Sequence, residues 1–212
     1  MADRQGQQQA HEMDGHAPGR LADQVYFGGA FLTALATLAW HRRWAEASDG
    51  TPRRGLFDGL CHLGTALAVA LPVLPYVRDR AGFLRLALLS AVMIDLDHVA
   101  AARSVRFERT MTMAHRPASH SLAAPLVCAA LAERWRPRRH LGLAALLGLG
   151  SHLLRDLGTG GAPLVRPSRV VSMPNPVVVF LLGALALTSR TATRLALGAH
   201  LPLPLPRGQH TA

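Results

Sequence analysis

Eight histidines and aspartates stand in or beside the apolar stretches of this chain, gathered into four short clusters: His62; Asp95, Asp97 and His98; His115 and His120; His152 and Asp156. An imidazole or carboxylate in an apolar helix loses its hydration. The cost is recovered only by pairing, hydrogen bonding or coordination of a cation. One such residue is commonly a satisfied core group, whereas a set of them asks for a shared reason. Nitrogen and oxygen donors without thiolate suit zinc, manganese, iron or another divalent ion, so the clusters point to a metal site built between helices.

The chain around these clusters reads as a membrane protein. Its 212 residues suit one folded unit. The mean hydropathy of +0.18 is lowered by polar ends and arginine-rich loops. Apolar stretches run over Val25–Trp40, Gly59–Tyr76, Phe83–Ala102, Leu122–Leu131, Leu141–Leu157 and Pro176–Leu187, the fourth being the weakest. The expected fold is all-α, a multi-pass transmembrane bundle of about five or six helices with a metal site near one membrane face. Residues 1–20 read as a disordered polar tail, 21–190 as the membrane-embedded helical domain, and 191–212 as a short helix end with a proline-rich tail. Pro202, Pro204 and Pro206 bar a helix there. Nothing before Val25 resembles the apolar core of a cleavable signal, so the first stretch is expected to act as an uncleaved anchor.

All 23 basic residues are arginine, against 13 acidic ones, for a formal net charge of +10. The arginines flank apolar stretches, as in Arg42/Arg43, Arg53/Arg54 and Arg134/Arg136, which fits charge at lipid headgroups rather than a nucleic-acid groove. Membrane lipids are the expected partners and no nucleic acid is expected. Cys61 and Cys128 make no ligand spacing and read as packed free thiols. His41, His140 and His200, at segment ends or in the tail, read as interfacial.

Spacing decides which residues can share an ion. His152 and Asp156 are four apart and project from one helix face, which makes them the best local ligand pair. Asp95 and His98, three apart, also share a face. Asp97 points elsewhere and reads as a group that orients a histidine, binds a second ion or serves as general base. Pro117 makes His115–Ser121 a loop or first helical turn, able to fold two histidines toward one point, with Ser119 or Ser121 capping the next helix. Arg116 is placed to hold an anionic substrate oxygen. The plainer alternatives are packing for His62 and an ion pair with Arg85 or Arg103 for Asp95.

The order and wording of the clusters resemble the YdjM-like family of inner-membrane proteins, described as membrane-bound metal-dependent hydrolases. The correspondence rests on His62-Leu63-Gly64, Asp95-Leu96-Asp97-His98, His115-Arg116-Pro117-Ala118-Ser119-His120-Ser121, and Ser151-His152 through Asp156-Leu157-Gly158-Thr159, over about residues 55–170. Pro117 stands where glycine is usual, Ser119 replaces threonine and Ile94 stands where proline often precedes the first aspartate. The resemblance implies a hydrolase that depends on a divalent metal.

The expected mechanism is hydrolysis by a metal-activated water, with zinc as the first choice of ion and manganese or iron as alternatives. His62, Asp95, His98, His115, His120, His152 and Asp156 are the candidate ligands, Asp97 and Arg116 the candidate catalytic groups. Seven ligands exceed one tetrahedral zinc, so two ions bind or some of the seven support the others. The expected substrate is a phosphate ester or lipid-like molecule. A transporter or metal-handling protein is the alternative reading, and a purely structural bundle with polar interhelical contacts is a third.

Overall fold

Thr51 starts the helix that carries the first cluster. Its Oγ1 accepts the backbone N–H of Arg54 at 3.3 Å, and Pro52 fills the first turn, where its missing N–H costs nothing. The computed structural model describes residues 19–111, 113, 116–135, 140–163 and 169–199. Helix α1 spans Arg20–Glu46, and α2 spans Pro52–Ala70, prolonged by a 3-10 turn, Leu71–Tyr76, that Pro72 and Pro75 enforce. Then come α3 (Arg80–Met93), α4 (Leu96–Ala102), α5 (Phe107–Met111), a 3-10 turn at Ala118–His120, α6 (Ala123–Trp135), α7 (Leu141–Thr159) and α8 (Asn175–Ala199). Between α7 and α8, β1 (Ala162–Pro163) and β2 (Val170–Val171) pair antiparallel, Ala162 opposite Val171. The helical class is as the sequence indicated, while this ladder and α5 were not foreseen.

Helix α7 is the centre. It packs on α3, α6, α2 and α8, and α1 lies mainly along α2. One apolar core joins Val69, Val73, Phe83, Ala87, Ala144 and Leu147, and a second joins Leu153, Leu157, Ala162 and Val178 beneath the ladder. Small residues set the helix spacing. A Cβ on Gly148 would lie 2.2 Å from the carbonyl oxygen of Ala87, and one on Gly64 would lie 3.0 Å from the ring of Trp40. Gly148 lets α7 seat on the backbone of α3, and Gly64 makes room on α2 for the Thr37 and Trp40 side chains of α1, as small residues do in helix pairs within membranes.

Three helical stretches among the described residues are long and apolar enough to cross a membrane: Arg20–Glu46, Pro52–Tyr76 and Asn175–Ala196. The six-segment expectation narrows accordingly. The third apolar stretch is broken at Ile94 and Asp95 into α3 and α4, and α3 with 14 residues is short of the ~20 needed to span. The fourth forms α6, only 13 residues long. Beyond the expected end at Leu187, the last stretch continues as helix to Ala199. The expected tails at 1–18 and 200–212 lie outside the described residues. Cys61 is buried, but Cys128 is exposed on α6, so the packed-thiol reading holds for Cys61 alone.

Replacing Gly148 by valine should separate α7 from α3, because the obstacle is backbone. We expect a loss of about 1–3 kcal/mol in stability, read by thermal unfolding in detergent, whereas Gly183→Ala, where a Cβ meets nothing within 4 Å, should change little.

Candidate metal centre

The break between α3 and α4 builds the site. In a continuous helix the N–H of Asp95 would bond to the carbonyl of Ala91. Here it turns to the carbonyl of Val92 at 3.2 Å, and the freed Ala91 oxygen accepts from Nδ1 of His152 at 2.7 Å. A carbonyl can only accept, so Nδ1 of His152 carries the hydrogen and Nε2 presents a lone pair. His152 is fully buried, and its Nε2 faces the second histidine of the set, His120, at 3.2 Å.

His120 is held between two carboxylates. Asp97 Oδ2 lies 3.2 Å from its Nδ1, and Asp95 Oδ1 lies 3.3 Å from its Nε2. The hydroxyl of Ser119 donates to the same Asp97 oxygen, so Ser119 braces the site rather than capping α6. Asp97 therefore does not point away, as an unbroken helix would require. The tight turn at residues 94 and 95 brings Asp95 and Asp97 to opposite edges of one imidazole.

Three donor atoms converge on one point, with a fourth beside them. Nε2 of His120, Nε2 of His152 and Oδ1 of Asp95 are 3.2, 3.3 and 3.5 Å apart, and Oδ2 of Asp156 lies 3.4 Å from His152 and 3.9 Å from His120. Ligands about 2.0–2.2 Å from a tetrahedral ion stand ~3.3–3.6 Å from one another, so the cradle has the size of such a coordination shell. Both rings are anchored through the opposite nitrogen, His152 by a carbonyl and His120 by a carboxylate, the usual support of metal-binding histidine.

The other candidates are distributed around this cradle. His62, fully buried, stacks on the ring of His152 with centroids 3.7 Å apart, and its Nε2 is 3.6 Å from Asp156 Oδ1, so a second grouping of His62, His152 and Asp156 adjoins the first. His98 contacts the Thr110 carbonyl through Nδ1 at 3.1 Å, with its Nε2 3.9 Å from Asp97 Oδ1, and belongs to a third grouping with Asp97 and His120. Asp95 meets histidines rather than Arg85, which turns back to the carbonyl of Ala81. Arg116 gives Nη1 to Asp156 Oδ2 at 2.9 Å, so part of its charge serves a carboxylate of the cradle rather than a substrate. His115 lies outside the described residues.

Sequence reasoning missed two members, Asp58 and Arg155. Nη1 of Arg155 bridges Asp58 Oδ1 at 2.7 Å and His62 Nε2 at 2.9 Å, and Arg155 is buried. The signal for Asp58 was present, since Asp58 and His62 repeat the four-residue spacing of His152 and Asp156. Arg155 was hidden because arginines so often mark membrane flanks. Among the described residues, the carboxylates of Asp58, Asp95, Asp97 and Asp156 face the guanidinium groups of only Arg116 and Arg155. With neutral histidines, the excess of two negative charges matches one divalent cation.

The match with known proteins fits this arrangement. Residues 57–202 match the family described as YdjM inner membrane protein. The chain belongs to this family. The YdjM match reaches past the motifs into α8 and includes every residue of the cradle. No curated protein and no solved structure matches the chain.

Burial opposes charging of His120, yet the hydrogen bonds and charges of Asp95, Asp97 and Asp156 push it up to about 9. Without an ion the site thus holds a proton on His120, and an ion must displace it. Apparent affinity for zinc should therefore rise with pH from neutrality and level off near 9, with proton release detectable in weakly buffered titrations. Affinity that stays flat across that interval would contradict His120 as a ligand.

Proposed function

We propose that this YdjM-family chain is a multi-pass inner-membrane hydrolase that binds a divalent ion, zinc before manganese or iron, and cleaves a phosphate ester or lipid-like substrate. The observation that carries the reading is the pair of imidazole Nε2 atoms 3.2 Å apart, closed by oxygens of Asp95 and Asp156 and anchored from behind. Two lone pairs in that position repel unless a proton or a metal ion relieves them, and the surrounding carboxylates favour either cation. When bound, the ion supplies Lewis acidity, polarising the scissile group and lowering the pKa of a water.

The remaining work falls to side chains of this chain. His120, His152, Asp95 and Asp156 hold the ion, and His62 and Arg116 position Asp156 from its two oxygens. Asp97 has one oxygen engaged by Ser119 and His120, while its Oδ1 has no hydrogen-bond partner among the described residues. That free oxygen serves as general base. The N–H groups of Arg116 beyond the one given to Asp156 serve to hold an anionic oxygen of the substrate. Convergence on a single cradle favours catalysis over a translocation path, which spreads polar groups through the membrane depth.

Elemental analysis of detergent-purified protein should find one or two equivalents of zinc, manganese or iron, lost in both Asp95→Asn and His152→Asn. Asp97→Asn at saturating metal should keep the ion and lose roughly 100-fold or more of the rate on a chromogenic phosphodiester or phospholipid. Folded wild type that takes up no ion after incubation with each metal would overturn the proposal.

A further inference from the structure

A long groove runs between α1, α2 and α8, with a volume of about 490 Å³. Its walls are almost wholly apolar, Phe27 and Phe31 on α1 and Leu187 on α8 among them, with Val69, Val178 and Ala186 buried in its floor. Along α1 it extends from Phe27 to His41, fourteen residues apart in sequence and thus about 21 Å. This exceeds one leaflet of a ~30 Å hydrocarbon core. Arg155, His41, Thr37, Thr65, Thr159 and Asn175 give the groove its polar lining.

Arg155 connects the groove to the cradle. Its Nη1 is committed to Asp58 and His62, whereas its Nη2 is buried without a hydrogen-bond partner among the described residues. Its side chain is only 7 % exposed. With Nη1 on Asp58, the remaining buried N–H calls for a further acceptor, and the planar fork of Arg suits a phosphate oxygen in that role. The groove supplies what such an acceptor on a lipid would need next to it, a dry channel for a hydrocarbon chain.

We infer that the groove holds an acyl chain of an anionic membrane lipid of the phosphatidic-acid kind, with its phosphate on Arg155, one imidazole from the cradle. This rests on the hydrolase reading for the lipid's role as substrate, but the seating of the lipid is testable by itself. Gly183 lines the groove, and a Cβ there meets nothing within 4 Å, so a side chain can start from this position toward the channel.

The test uses phosphatidic acid with a photoactivatable diazirine in its acyl chain, in phosphatidylcholine nanodiscs containing the full chain, with matched diacylglycerol as the uncharged control. Cross-links should map to Val69, Val178 and Ala186 on the groove floor, several-fold stronger for phosphatidic acid than for diacylglycerol. Gly183→Phe should remove most of this floor labelling while leaving metal content unchanged. Equal labelling by the two lipids would overturn the headgroup assignment, and floor labelling that survives Gly183→Phe would overturn the groove. Excess inorganic phosphate should leave labelling intact; its displacement of the lipid would show that the site takes free phosphate instead. Loss of metal in wild type with groove labelling intact would sink the hydrolase reading and not this one.

Discussion

The hydrogen bond from Nδ1 of His152 to the carbonyl of Ala91 is the contact on which the cradle depends. It requires a backbone carbonyl without a helical partner, which the break after α3 supplies. It also requires α7 to approach α3 closely, which Gly148 permits one turn before His152 on the same face. Once made, the bond fixes the tautomer and turns Nε2 toward His120. The same break swings Asp95 and Asp97 to the two edges of His120, so one departure from helical regularity sets three of the side chains around the ion site.

Charge explains why this polar network is tolerated in an apolar bundle. Asp156 touches His62 through one oxygen, and Arg116 and His152 through the other, so it is shared by three elements of the chain. Buried carboxylates of this kind are expensive to desolvate and are held only where several donors face them. The two guanidinium groups offset half of the carboxylate charge. A cation is the remaining requirement, met by a proton on His120 or by a divalent ion, and the nitrogens and oxygens are grouped closely enough to hold one.

Much of this was legible in the sequence. His152 and Asp156 lie one helical turn apart, and that spacing alone puts them on one face, as observed. The clusters were readable as a set because imidazoles and carboxylates in apolar segments need partners. What failed did so where regular geometry was assumed. The separation of Asp97 from Asp95 followed from an unbroken helix, but Ile94 and Asp95 form a turn whose bonds span three residues rather than four. Counting apolar stretches gave more segments than the three helices long and apolar enough to cross, because α3 and α6 are apolar but only 14 and 13 residues long. Arg155 escaped notice since nothing in its local sequence separates a buried guanidinium from an interfacial one; only the placement of Asp58, ninety-seven residues earlier, does so.

Arg155 also gives the fold its asymmetry. At the opposite end of α1, Asp23 accepts from Tyr76 and Arg190, and the guanidinium of Arg190 lies over the rings of Phe27 and Tyr76. That network ties α1, the 3-10 turn and α8 together with its carboxylate already matched by a cation. Arg155 sits on the other side of the same three-helix groove, but it faces the carboxylate-rich cradle with one nitrogen engaged and another unspent. A guanidinium thus stands toward each end of the groove, each ion-paired through one nitrogen and each with another buried nitrogen that lacks a hydrogen-bond partner among the described residues, Nε of Arg190 and Nη2 of Arg155. What distinguishes the two is that Arg155 itself lines the groove and adjoins the carboxylates and imidazoles of the cradle.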